Sequence, residues 1–155
     1  MQAIKENPNK RIFAENEEEL LNECMKSVLL GVQSLDVVEK VAVGELNAYV
    51  KQLMGEYAAV STRISDMMKK LDINPEIYGT FKQKWQKKMV KLSLFGDKSN
   101  SNIAEKLIKG TNMGITDLTR CLHDNAVSVS DETAALTADI LALFSGSVEA
   151  LKKFL

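Results

Sequence analysis

The chain has 155 residues, 45% of them apolar and 26% charged, the balance of one globular domain large enough to bury a core. Its net charge of −1 excludes a global field that would gather polyanions, and its two prolines leave room for long helices. No run of about eighteen apolar residues occurs, so no transmembrane segment is expected.

The opening, MQAIKENPNKRIFAENEEEL, has no apolar stretch after its basic residues, which argues against a secretory signal. With Pro8 inside a polar run, residues 1–15 read as a flexible N-terminal arm ahead of a single helical-bundle domain over 16–155. Asn16 and Glu19 form a capping box, and Leu21, Met25, Val28, Val32 and Leu35 follow at helical spacing. Gly44 supplies a stop or tight turn. A second helix carries Leu46, Val50, Leu53, Tyr57, Val60, Ile64, Met67 and Leu71, a heptad-like seam of alternating steps of four and three. Pro75 disfavours helix at Asn74 and ends it.

Asn74 then caps a third predicted helix with Pro75 at its first position. Within it, FKQKWQKKMVK (81–91) holds five lysines and two large aromatics. At about 100° per residue, Ile77, Phe81, Trp85, Leu92 and Phe95 share one arc, while Lys84, Lys87 and Lys91 form a ridge on its flank. Nucleic-acid binding needs exposed aromatics beside the lysines, whereas here the two are sorted. The simpler reading is a core stripe edged by solvated lysines with apolar stems. Contact with anionic surfaces through Lys84, Lys87 and Lys91 is the alternative.

Gly96 closes that helix, and Asn102 with Glu105 offers a capping box for a fourth helix reaching Asp124. Gly110 and Gly114, four apart, form a small-residue notch that predicts close helix packing, either at an internal crossing or against a partner. Ser130 caps a fifth helix, and Asp131 and Glu132 suit its positive end. Its stripe is Leu136, Ile140, Leu143, Ser147, Leu151 and Phe154. No segment alternates with period two. The pattern predicts an all-α antiparallel bundle of four to five helices.

Little in the chain suggests catalysis. Cys121 and His123 sit two apart on a helix, about 200° from each other, so they cannot converge as a dyad. A di-metal bundle centre uses two Glu-x-x-His motifs, and the residue three before the single histidine is Arg120. Cys24 and Cys121 make no C-x-x-C pair and read as reduced thiols, which places the protein in the cytoplasm. Seven methionines read as core filler. No cofactor is expected.

The order WQKKMVKL, then GD, then Ile103, Glu105 and Gly110 in an I-x-E-x-x-x-x-G pattern, then a helix ending EALKKFL, resembles the small bacterial ferritin-like helical-bundle proteins of unknown function. The likeness covers roughly residues 75–155. It implies a ferritin-like bundle, bacterial and cytoplasmic, with oligomers in some cases. Some relatives carry a glutamate just after the glycine and a histidine in the last helix, a remnant of a metal site. Here Thr111 follows Gly110 and no histidine follows His123, so Glu105 alone carries over as a metal-ligand candidate.

The sequence therefore leads to a non-enzymatic cytoplasmic bundle acting through protein–protein contacts or as a homo-oligomer. The alternatives are a degenerate ferritin-like metal or oxidative-stress protein and a module touching anionic surfaces through the lysine ridge.

Overall fold

Apolar residues recurring every three or four positions coil into helices that hide those stripes from water. The computed structural model describes the backbone of residues 8–75, 96–125 and 128–155, with side chains from residue 16 onward in those stretches. Among the described residues there are four helices and no strand: α1 (Pro8–Glu39), α2 (Gly44–Lys70), α3 (Asn100–Asn125) and α4 (Asp131–Leu151). A 3₁₀ turn, Lys152–Phe154, extends α4. The third predicted helix, with Phe81, Trp85 and the ridge Lys84, Lys87 and Lys91, lies outside the described residues.

Helix α1 starts at Pro8, so the Asn16–Glu19 capping box does not open it and the backbone of residues 8–15 is helical. Proline fits a first helical position because its missing N–H would have no partner there. Nothing between Pro8 and Asn16 breaks a helix, so the cap signal at Asn16 has no end to cap. The α1–α2 turn closes with Ala42 N–H donating to Val38 O (2.7 Å), and Gly44 takes a φ of +59°, which a residue with a Cβ adopts only under strain. Asn100, at the start of α3, clamps this turn from outside. Its Oδ1 accepts from Val43 N–H (3.2 Å) and its Nδ2 donates to Val43 O (3.0 Å).

The α2 seam is buried at Leu46, Val50, Leu53, Tyr57, Val60 and Ile64, then at Met68 in place of Met67. On a straight helix Met68 lies about 40° from Leu46 and Met67 about 60° the other way, so a strict heptad drifts off the core. Helix α2 ends before Pro75 has any influence. Asp72 sits at φ +55°, Asp72 N–H donates to Lys69 O (3.2 Å) and Ile73 N–H to Met68 O (2.8 Å). This is a Schellman stop with aspartate where glycine is usual.

The cap of α3 is Ser99, whose Oγ accepts from Asn102 N–H (3.3 Å), so Asn102 is inside the helix and its box with Glu105 is not formed. The expected cap of α4 is present: Ser130 Oγ accepts from Thr133 N–H (3.2 Å).

Cross-helix pairs give the directions. Helix α2 runs antiparallel to α4, shown by Tyr49 stacked on Phe154, Arg63 paired with Asp139 and Lys70 paired with Glu132. Helix α1 runs parallel to α4, since Glu17 meets Ser130 and Thr133 while Cys24 meets Thr137. The broadest packing joins α1 to α2, α3 to α4 and α1 to α3. Asp131–Phe154 is long and apolar enough to cross a membrane by length and composition, and its apolar face at Leu136, Ile140, Phe144, Val148 and Leu151 is spent on the bundle core.

Among the described residues one glycine sets a close approach. A Cβ at Gly31 would overlap the Tyr57 ring, coming within 2.7 Å of Cδ2. A Cβ at Gly110 would meet nothing within 4 Å. These positions make a matched pair. Gly31→Ala should destabilise, because overpacking costs about 1–3 kcal/mol and outweighs a propensity gain of up to about 1 kcal/mol. Gly110→Ala should keep that gain and raise the melting temperature. Equal shifts in thermal denaturation would show that Tyr57 does not press on Gly31. Separately, Asp72→Gly should stabilise by about 0.5–1 kcal/mol, since it relieves a left-handed residue at the cost of some unfolded-state entropy. Urea titration measures it, and a loss would mean that the aspartate side chain contributes more than the strain.

Candidate functional site

Among the described residues an apolar slot of about 500 Å³ lies between α1 and α3. Its lining on α1 runs from Glu23 to Val38 and on α3 from Lys106 to Asp117. At 1.5 Å per residue these stretches span about 22 Å and about 16 Å. The slot is thus elongated along the bundle axis. Its floor comes from the other two helices, with Leu53 and Tyr57 of α2 and Phe144 and Leu151 of α4. The Tyr57 and Phe144 rings lie tilted with centroids 5.6 Å apart.

The hydroxyls in the walls are turned back on their own helices. Ser34 Oγ donates to Leu30 O (2.9 Å), Thr111 Oγ1 to Leu107 O (2.7 Å) and Ser147 Oγ to Phe144 O (2.8 Å). Burial pushes the Tyr57 phenol up to about 12, and hydrogen bonding to Ser147 and Thr111 opposes that rise. Among the described residues the buried side-chain oxygen without a hydrogen-bond partner is Gln33 Oε1, which does not line the slot. At the mouth Lys26 pairs with Glu23 (3.5 Å), and Met113 stands 59% exposed. The walls are mainly apolar, with the charged side chains Glu23, Lys26, Lys106 and Asp117 also in the lining.

The residues singled out from the sequence fall differently. Gly110 and Gly114 both line the slot. A Cβ at Gly114 would touch the Phe144 ring at 3.5 Å, an ordinary contact with a side chain, while the tight approach of two helices is at Gly31. Glu105 points outward, exposed and bonded to Lys109 (2.7 Å), which holds its carboxyl below the usual range. Among the described residues no three of His, Cys, Asp and Glu gather where a metal could sit. His123 is exposed and Cys121 half-buried. Sequence reasoning missed Gly31, Tyr57, Phe144 and Met113 as a group. The one available signal was Gly31 itself, a glycine inside the apolar run VLLGVQSL that costs a helix about 1 kcal/mol without a packing reason.

The thiols are protected. Burial pushes Cys24 up to about 12, with its Sγ 3.4 Å from Thr137 Oγ1. Burial, aided by the charges of Glu19 and Glu23, pushes Cys121 up to about 11. Raised folded values mean the native state holds these protons more tightly than the unfolded chain, where a thiol titrates near 9. Their contribution is complete below pH 9 and is lost as pH climbs toward 11–12. Denaturant titrations should show stability falling above pH 9, and the pair Cys24→Ala and Cys121→Ala should flatten that fall. An unchanged slope in the double variant would assign it to the phenols of Tyr57 and Tyr49, which burial also raises.

Scanned against protein-family models, curated proteins and solved structures, the chain matches none of them, so the functional reading rests on the geometry of the α1/α3 slot.

Proposed function

We propose that this chain is a non-enzymatic binding protein of the cytoplasm, a helical bundle that acts through non-covalent contacts made at the slot between α1 and α3. The observation that carries the reading is the slot itself. Among the described residues, a cavity of about 500 Å³ lined by all four helices and mostly apolar has the size and lining of a recognition site. The exposed Met113 at its mouth adds a flexible thioether of the kind that adapts to apolar partners. Two free cysteines with suppressed acidity support a reducing compartment.

We read the bundle as a ferritin-like scaffold that works without metal chemistry. Support for the likeness is the Ile103, Glu105 and Gly110 pattern on α3. Support for a scaffold role is that Glu105 faces solvent in a pair with Lys109, away from the interior where a bundle metal is held. The lysine-ridge alternative lies outside the described residues and gains no observation.

The test is a titration with 1-anilinonaphthalene-8-sulfonate, a dye that brightens in apolar sites. The native protein should show saturable one-site binding at full helicity. Ser34→Phe, which fills the slot from α1, should weaken it at least tenfold, and Gly114→Leu should do so from α3. Absence of saturable binding, or a signal that both variants leave unchanged, removes the slot as the recognition site.

A further inference from the structure

We draw no further inference here: the strongest candidate, the apolar slot between α1 and α3, carries none because it belongs to the site already described and nothing in the structure shows what covers it.

Discussion

The Tyr57 ring is the one side chain on which the four-helix arrangement turns. It projects from α2, lies against the bare backbone of Gly31 on α1, tilts over Phe144 of α4 and brings its hydroxyl to Thr111 of α3 and Ser147 of α4. A ring this size has a position at the bundle centre only because Gly31 has no Cβ. Its bulk, with that of Phe144, forms the floor of the slot that the described residues of α1 and α3 flank. Slot and core therefore share the side chains of Leu53, Tyr57, Phe144 and Leu151.

That dependence explains which parts of the structure were legible in the sequence. Periodicity located the α2 seam down to Ile64, because burial of one helical face leaves a mark at every turn. It misjudged Met67 against Met68, where the choice turns on helix curvature that no short window records. Ser130 was found because its cap is local, an oxygen three residues from the amide it accepts. Asn16 and Asn102 carried the same local signature and were misread, since whether a cap is used depends on where the helix is free to begin. Ser99 won at α3, and α1 had already started at Pro8. The slot was not legible at all. Its existence depends on distances between helices far apart in sequence, and its residues look like ordinary core positions one at a time.

The surface contributes register more than energy. Arg63–Asp139 (2.9 Å) and Lys70–Glu132 (2.8 Å) bridge α2 and α4 between side chains that remain more than half exposed. Such pairs contribute at most about 1 kcal/mol each. Their role is to fix which turns of α2 and α4 face one another along a seam where backbone packing is sparse. The Asn100 clamp on Val43 does the same for α3 at the other end, tying its first turn to the α1–α2 connection.

The contacts of Glu17 with Ser130 and Thr133 join residues 113 and 116 positions apart. Cys24 and Thr137 are joined across 113. During synthesis the first half of α1 is therefore made long before the helix that covers it. At about 5–20 residues per second, the gap is several seconds or more during which Glu17 and Cys24 lack their partners on α4. Helices α1 and α2 can pair early as a hairpin, held by contacts such as Asn47 Nδ2 with Glu39 O (2.7 Å). The core of α1 is therefore completed only once α4 has left the ribosome.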